Sequence, residues 1–422
     1  MDEVSLKLPV VWKWGKRVGF SILDQGLFSG ANFLLNILLA RWLTPEEYGA
    51  FAVAFSGFLI SFGFYNSLIL DPLMVFGSTK SESIFPDYIK KMMLLQTCIN
   101  ISIFVILFLI GVVSKGSFRT ALIGMSVYTP LVLSIWFLRS IFYVNFHPRK
   151  ATAISLIYSV LLLGTLIALG VSNQLTLLVA FICLSTSGAI TTILGLLFII
   201  SLHKKQIITK VITWKEFIFE TWKYSRWILV TTAFDGIAYL AYPPLVSVLI
   251  GVDEAGAFKG IQNFVNPIQQ YFVAVYLLIM PILSKRKGTN DYYIFHRSFI
   301  VITLIPTIIY TLFILIFPSQ VISFIYNNSF YQNFVWIVPY FSLFSIILWG
   351  RYITTTFIRA EKTSISLLYG KIGALGMFFL SLIPLWIWRK MEFVIASMLL
   401  VSMVELMVLL YQHGNNKAIV VK

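Results

Sequence analysis

Six ionisable residues lie inside otherwise apolar stretches of the chain: Asp24, Asp235, Lys259, Arg351, Lys371 and Glu405. A charge at membrane depth is costly, so such a residue pairs with another charge or faces a watery cavity. The cations could balance an anionic head group, and the carboxylates could couple to a proton or sodium gradient. The structural alternative is that opposite charges pair only to hold helices together. Lys259, Lys371 and Arg351 are therefore candidate binding residues, and Asp24, Asp235 and Glu405 are candidate ion-coupling residues.

Polar residues also form stripes along the predicted spans that carry these charges. In the first span the members recur every three or four residues: Ser21, Gln25, Ser29, Asn32 and Asn36. A helix advances about 100° per residue, so they share one face, with Asp24 at its edge. In the seventh span a second stripe contains Thr231, Asp235, Tyr239 and Tyr242 and ends at Pro243-Pro244.

The predicted eighth span is the most polar of all. One third of its circumference carries Lys259, Gln262, Asn263, Asn266, Gln269 and Gln270. Pro267 interrupts this span and frees a backbone carbonyl that needs another partner. Amides of this kind can simply bond between neighbouring helices, at about 1 kcal/mol each. Three stripes together favour a cavity, whose lining we predict to include Lys259, Asn263, Asn266, Gln270, Tyr239 and Asn32.

No other pattern in the chain indicates catalysis or metal binding. Cys98 and Cys183 both fall in predicted spans, which disfavours a disulfide framework or a thiolate metal site. The four histidines lie on connections or ends, and no metal-spaced cluster, phosphate-binding glycine loop or nucleophile elbow is present in the sequence. The sequence therefore predicts neither an enzyme nor a bound cofactor. A proton or sodium gradient remains as the energy source for transport.

The composition places these residues in a membrane. Hydrophobic residues make up 59% and charged residues 12% of the chain, whereas an ordinary soluble domain has about 25% charged residues. A span needs about 20 apolar residues, and about twelve such segments occur. They lie near 18–42, 48–70, 88–113, 119–138, 151–171, 176–201, 227–250, 256–283, 298–317, 335–357, 365–388 and 392–411. Long apolar runs without period-two alternation predict helices and not a barrel.

The net charge of +15 is explained by orientation in the membrane. When alternate connections are assigned to opposite faces, most lysines and arginines fall on one face. The other face holds only Arg41, Lys115, Arg119, Arg389 and Lys390. The positive-inside rule then places both termini in the cytoplasm. Nucleic acid is unnecessary as a partner.

Two short sequence segments, which we call the repeated words, each recur about half the chain length further along. The segment Trp42–Phe51 aligns without a gap on Leu249–Phe258, and Thr152–Tyr158 aligns on Thr363–Tyr369. Two matches in the same order predict two homologous six-helix lobes, related by a pseudo-two-fold axis along the membrane normal. We predict an N-terminal lobe at 1–202 and a C-terminal lobe at 226–422. A cytoplasmic amphipathic linker at 203–225 would join them, with Trp214, Phe217, Ile218 and Thr221 at helical spacing.

The segment Ala40-Arg41-Trp42-Leu43-Thr44-Pro45-Glu46-Glu47-Tyr48-Gly49, after a polar first span, resembles the start of the polysaccharide-biosynthesis exporters. These are the Wzx-type O-antigen flippases of the multidrug/oligosaccharidyl-lipid/polysaccharide (MOP) superfamily. The layout of six plus six spans also resembles that family, so the resemblance covers the whole chain. It implies a fold like that of the MATE transporters, with a V-shaped pair of lobes around a cationic, water-filled cavity.

The resemblance also implies a function. Such a protein flips undecaprenyl-diphosphate-linked oligosaccharides between the leaflets of the bacterial inner membrane. Its partners would be the lipid-linked oligosaccharide, membrane lipids and other polysaccharide-assembly proteins of the membrane. A multidrug or cation extruder of the same superfamily is one alternative, although the buried lysine and arginine disfavour it. A membrane polysaccharide polymerase is another, and the short outer connections disfavour it.

Overall fold

The computed structural model describes residues 8–77, 84–203, 211–272, 275, 291–326, 329–360 and 365–420. In these ranges the chain forms helices joined by turns, without a strand. Ten of the described helices are long and apolar enough to cross a membrane, and the bent pair Trp214–Leu240 and Tyr242–Leu249 would make an eleventh. The predicted all-α membrane protein is confirmed. The predicted eighth span, 256–283, lies partly outside the described residues.

The first half of the chain contains seven described helices. In order these are α1 (Leu8–Trp42), α2 (Pro45–Tyr65), α3 (Asp71–Gly77), α4 (Phe85–Val113), α5 (Gly116–Val144), α6 (Pro148–Val171) and α7 (Leu177–His203). A π-helical turn, Asn66–Leu70, joins α2 to α3. Helix α2 begins with a capping box, because Glu47 N–H donates to Thr44 Oγ1 at 3.2 Å and Thr44 N–H donates to Glu47 Oε2 at 3.2 Å. The Thr-Pro-Glu-Glu sequence thus starts a helix.

The second half is more broken. Its described helices are α8 (Trp214–Asp235), α9 (Tyr242–Leu249), α10 (Val252–Gln262), α11 (Asp291–Ile316), α12 (Pro318–Ile325), α13 (Val338–Ala360), α14 (Ile365–Trp388) and α15 (Met391–Val420). A π-helical turn, Gly236–Leu240, separates α8 from α9. A 3₁₀ turn, Asn263–Val265, follows α10. The carbonyl that Pro267 frees belongs to Asn263, and it accepts the N–H of Asn266.

Helix α8 includes the second half of the predicted amphipathic linker, from Trp214 to Ser225, and continues unbroken into the predicted seventh span. Phe217 and Thr221 are buried, whereas Trp214 and Ile218 are about half exposed. Ile212 N–H donates to Asp87 Oδ2 at 2.8 Å. This hydrogen bond links the residues just before α8 to the first turn of α4. Residues 204–210 lie outside the described part of the chain.

The chain divides into two compact units. One contains Met1–Leu43 and Gly57–Thr232, and the other contains Thr44–Ser56 and Ala233–Lys422. In the first unit α1 packs along α6, and α5 packs against both α4 and α7. In the second, α15 packs against α13 and α14, and α13 packs against α11. The predicted lobe limits at 202 and 226 remain a prediction.

The two copies of the first repeated word meet inside the second unit. A Cβ placed on Gly49 would lie 1.9 Å from the carbonyl oxygen of Val252. One placed on Gly256 would lie 2.8 Å from the carbonyl oxygen of Pro45. Such contacts exclude any side chain, so the glycines at these matched positions permit the close approach of α2 and α10. Superposition of the two halves remains a prediction.

Candidate functional site

Four ionisable residues and a tyrosine, which we call the second-unit cluster, converge in the second unit. Arg351 lies on α13, Lys371 on α14 and Glu405 on α15, while Asp235 ends α8 and Tyr239 lies in the π-helical turn after it. Only 2% of the Glu405 side chain is exposed, against 44% for Asp235. The long apolar helices therefore bring together five predicted site residues that are up to 170 positions apart in sequence.

Glu405 is the centre of this cluster. Arg351 Nη2 lies 2.6 Å from Glu405 Oε2, and Lys371 Nζ lies 2.8 Å from Glu405 Oε1. The hydroxyl of Tyr239 also donates to Glu405 Oε2. Lys371 Nζ reaches a second carboxylate, Asp235 Oδ1, at 2.5 Å. Three donors from three different segments thus share one carboxylate.

The cluster contains two cations and two carboxylates. Asp235 and Glu405 are consequently neutralised by side chains of the protein itself. Pairing of this kind makes buried charge tolerable in a membrane protein. The predicted coupling of either carboxylate to a proton or sodium gradient would require the ion pairs to exchange partners.

A cavity of about 240 Å³ adjoins the second-unit cluster. It is lined by Leu348, Arg351, Tyr352, Thr355, Thr356, Arg359, Lys371 and Glu405. Three of these residues are cationic and one is acidic, so the lining carries an excess of positive charge. Arg359 and Thr355 were missed from the sequence. Thr355 follows Arg351 by four residues and Arg359 follows it by eight along α13, and this spacing was the available signal, because it puts all three on one helix face.

Asp24 lies in a different environment, within the first unit. Arg139 donates to both of its oxygens, from Nε to Oδ1 at 3.2 Å and from Nη2 to Oδ2 at 2.7 Å. The hydroxyls of Tyr143 and Ser155 also donate to the Asp24 carboxylate. The side chains of Arg139 and Asp24 are 3% and 0% exposed. We call this the first-unit cluster, and sequence reasoning missed the three partners of Asp24.

The two clusters occupy nearly equivalent positions when the two halves of the sequence are aligned on the second repeated word. Arg139 stacks over the Phe28 ring at 4.3 Å, and Arg351 stacks over the Tyr239 ring at 4.4 Å. Each ring stands four residues after the aspartate of its own cluster. The signal in the sequence was that both arginines precede the second repeated word by nearly the same distance.

Lys371 and Glu405 have apolar counterparts in the first unit, Val160 and Leu194. Val160 and Lys371 each stand two residues after the tyrosine that ends the second repeated word. In this alignment the second unit carries an acid–base pair at positions that are apolar in the first.

Packing around the arginines supports the match of Leu194 with Glu405. A Cβ on Gly195, the residue after Leu194, would lie 2.7 Å from Leu138 Cδ1. In the second unit a Cβ on Gly350 would lie 3.0 Å from Leu406 Cδ2. Leu138 and Gly350 each precede a cluster arginine, so the same pair of positions touches in both units with the large and small residues exchanged.

Only some of the polar residues of the predicted eighth span are buried. Lys259 is buried, with Nζ 3.2 Å from Gln262 Oε1 and 5.6 Å from the centre of the Phe55 ring. Asn263 is fully buried and donates to the Tyr48 hydroxyl at 2.9 Å.

The remaining residues of this stripe lie nearer the surface. Asn266 donates to Asn263 Oδ1 at 3.3 Å and is half-buried, whereas Gln270 is exposed. A cavity lined by this stripe remains a prediction.

The stripe on α1 bonds mainly within its own helix. Asn32 Nδ2 donates to the Phe28 carbonyl at 2.8 Å, and Asn36 Nδ2 donates to the Asn32 carbonyl at 2.8 Å. Gln25 Nε2 donates to Ser29 Oγ at 2.9 Å. The place of Asn32 in a substrate cavity remains a prediction.

Solved structures of membrane transporters resemble the whole chain. The inward closed conformation of the lipid II flippase MurJ matches at 15% identity with a TM-score of 0.68, covering 94% of this chain and 87% of that one. An inward-facing multidrug MATE transporter of the MOP superfamily matches at 11% identity and a TM-score of 0.67, covering 95% and 98%. A MOP superfamily transporter from Pyrococcus furiosus matches at 13% identity and 0.56, covering 99% and 95%. At these identities the likeness shows a shared fold.

The sequence itself matches a family. No curated protein matches the chain at a significant level. The family described as "Polysaccharide biosynthesis protein" matches residues 15–287, well over half of the 422 residues. The chain therefore belongs to the polysaccharide biosynthesis protein family and has the fold of the MOP-superfamily transporters.

Proposed function

We propose that this protein is a flippase for lipid-linked oligosaccharides. Its cargo would be an undecaprenyl-diphosphate-linked repeat unit of O-antigen or another polysaccharide, moved from the cytoplasmic to the periplasmic leaflet by alternating access. The observation that carries the proposal is the cation-rich cavity beside the second-unit cluster, in a membrane protein of the polysaccharide biosynthesis family. The neighbour MurJ, a lipid II flippase by its description, supports it.

The chemistry of such a cargo suits the polar residues of the chain. Only the diphosphate and the sugar hydroxyls must be shielded from hydrocarbon, because the lipid tail can remain in the bilayer. Arg351, Lys371 and Lys259 would balance the diphosphate, since cations at depth make an anionic group tolerable. Asn263, Asn266, Gln270, Asn32 and Tyr239 would bond to sugar hydroxyls.

Transport would be coupled to a proton or sodium gradient through Asp235 and Glu405. Both carboxylates belong to the second-unit cluster, where a change of protonation or partner would change the energy of one transport state relative to the other. Asp24 is the least available of the three predicted coupling residues, because it already accepts bonds from Arg139, Tyr143 and Ser155. The protein would lie in the bacterial inner membrane with both termini cytoplasmic, beside other polysaccharide-assembly proteins.

A deletion strain tests the proposal. Loss of a flippase should accumulate complete lipid-linked repeat units on the inner leaflet, whereas loss of a polymerase should leave single units on the outer face. Complementation by wild-type protein should restore surface polysaccharide. Outer-leaflet repeat units at wild-type levels in the deletion strain would refute the proposal.

A multidrug extruder of the same superfamily is the second candidate, because MATE transporters share the fold. Three cations and one carboxylate line the described cavity, which is unsuited to a cationic drug. Drug sensitivity should therefore be unchanged by the deletion, and a rise in sensitivity to cationic drugs would favour the extruder.

A further inference from the structure

The donors around Glu405 have the arrangement of an anion receptor. Arg351, Lys371 and Tyr239 reach one carboxylate from α13, α14 and the π-helical turn. Guanidinium and ammonium groups in this arrangement also recognise phosphate oxygens through charge-assisted bonds. The receptor already contains an anion, which is the side chain of Glu405.

The first unit shows that this anion is not needed to neutralise the arginine of the repeat. There, Asp24 alone binds Arg139 through both oxygens, and the position matching Glu405 is the apolar Leu194. In the second unit the matched aspartate pairs with Lys371, and Glu405 takes the arginine. Neutralising the arginine therefore does not account for Glu405 and Lys371, and the pair has a role without a counterpart in the first unit.

The adjoining cavity supplies room for a second anion. Its volume of about 240 Å³ is below the roughly 300–1,000 Å³ of sites for drug-sized ligands. That size suits a compact head group and not a whole oligosaccharide. Arg351, Lys371 and Glu405 line one part of it, and Thr355 and Arg359 extend the lining along α13.

We infer that the cavity and the second-unit cluster together bind a phosphate group, and that Glu405 is the resident counter-ion which the phosphate displaces. An incoming phosphate would take over bonds from Arg351 and Lys371, and Arg359 with the Thr355 hydroxyl would complete its coordination. Because a buried arginine cannot be left unpaired cheaply, Glu405 is released only when another anion arrives. Phosphate binding thereby loosens α15 from α13 and α14.

This inference deepens the proposed function, and its biological meaning rests on that proposal. The phosphate could belong to the diphosphate of the lipid-linked cargo or to a membrane phospholipid. Both sources present the same chemistry to the receptor.

Titration calorimetry with inorganic diphosphate tests the inference on the full chain in phosphatidylcholine nanodiscs. Glu405→Gln should bind diphosphate about tenfold more tightly than wild type, because the competing resident anion is gone. Glu392→Gln is the matched control, since it is the same change at an exposed position of the same helix. A purely structural Glu405 predicts weaker binding or none. Affinity in Glu405→Gln that does not exceed that of the control would overturn the inference.

A second pair of variants decides the question even when Glu405→Gln accumulates poorly. Arg359→Gln should weaken diphosphate binding about tenfold, through loss of a charge-assisted bond. Arg119→Gln, at an exposed arginine that lines a largely apolar cavity of the first unit, should leave the affinity unchanged. Equal affinities in these two variants would show that the cavity is not the site.

Nanodiscs containing phosphatidylglycerol distinguish the two sources. A lower apparent diphosphate affinity in wild type, absent in Arg359→Gln, identifies a phospholipid phosphate as the occupant. An unchanged affinity identifies the diphosphate of the cargo. A flipping assay on the wild-type protein separates this inference from the proposed function, because tighter diphosphate binding by Glu405→Gln, together with a wild-type protein that flips no lipid-linked oligosaccharide, would refute only the latter.

Discussion

Asp24 and Asp235 hold matching positions in the two halves of the sequence, yet they lie in different surroundings. Asp24 is fully buried and accepts bonds from an arginine, a tyrosine and a serine in the first-unit cluster. Asp235 is nearly half exposed and forms an ion pair with Lys371, whereas Arg351 forms its ion pair with Glu405. The first-unit cluster contains a single ion pair with two further hydroxyl donors, and the second-unit cluster is a network of four charges beside a cavity.

Under the proposed function, this difference assigns a structural role to the first-unit cluster and a functional role to the second-unit cluster. The bidentate pair of Asp24 and Arg139, with Tyr143 and Ser155 bonded to the same carboxylate, holds α1, α5 and α6 together. In the second unit Glu405 pairs with both Arg351 and Lys371, and Lys371 pairs with both Glu405 and Asp235. Ion pairs that can exchange partners at similar energy give a transporter two states to populate.

Breaking the first-unit cluster should have the largest effect on stability. Asp24→Ala leaves Arg139 buried and unpaired, which costs about 3–5 kcal/mol of the free energy of unfolding. Chemical denaturation of purified protein in detergent measures it. The double change Asp24→Leu with Arg139→Met should recover much of this loss, because no charge is then left buried. A single variant as stable as wild type would contradict a structural role.

Converting the second-unit cluster into the first-unit pattern should abolish transport and spare the fold. The double variant Lys371→Val with Glu405→Leu keeps the net charge and installs the apolar residues of the first unit. We expect Asp235 to neutralise Arg351, as Asp24 neutralises Arg139, while flipping falls by about tenfold or more. Surface polysaccharide and protein abundance in a complemented deletion strain measure the two quantities. Normal flipping would show that the added pair is dispensable.

Asp235→Asn should have a smaller effect on transport. It removes one of the two anions bound to Lys371 and leaves the other, so the cluster gains a positive charge without losing its centre. We expect severalfold slower flipping, a blunted response to an imposed pH or sodium gradient, and little loss of folded protein. Reconstituted vesicles provide the measurement. A full response to the gradient would remove Asp235 from the coupling role.

Asn32→Leu should have the smallest effect. The amide bonds within α1 to the Phe28 carbonyl, and such a bond is worth about 1 kcal/mol at most within a membrane. Asn263→Leu is the contrasting variant, because it leaves the Tyr48 hydroxyl buried without its donor and should cost about 1–3 kcal/mol. Thermal denaturation of the two proteins compares them. A severe transport defect in Asn32→Leu with normal stability would instead place Asn32 in the substrate path.

Much of the fold could be predicted from the sequence, because long apolar runs in a membrane permit only helices. The repeated words located matched glycines, and the structure shows why glycine is needed at Gly49 and Gly256. The candidate site residues that carry a charge were identified only because they lie within predicted membrane spans. Their partners could not be predicted, because a pair such as Asp24 and Arg139 depends on which helices are neighbours and how each is rotated about its axis.

The sequence by itself determined an all-helical membrane protein with polar residues and charges buried at known positions. Composition sets that outcome, since apolar segments of sufficient length must satisfy their backbone groups internally. Only the tertiary structure decided which charges meet. The rotation of α13, α14 and α15 places Arg351 and Lys371 on Glu405 beside the adjoining cavity, whereas the aligned positions in the first unit are the apolar Val160 and Leu194. Ion pairing and cavity formation depend on distances of a few ångströms between segments far apart in the chain, and no local pattern encodes those distances.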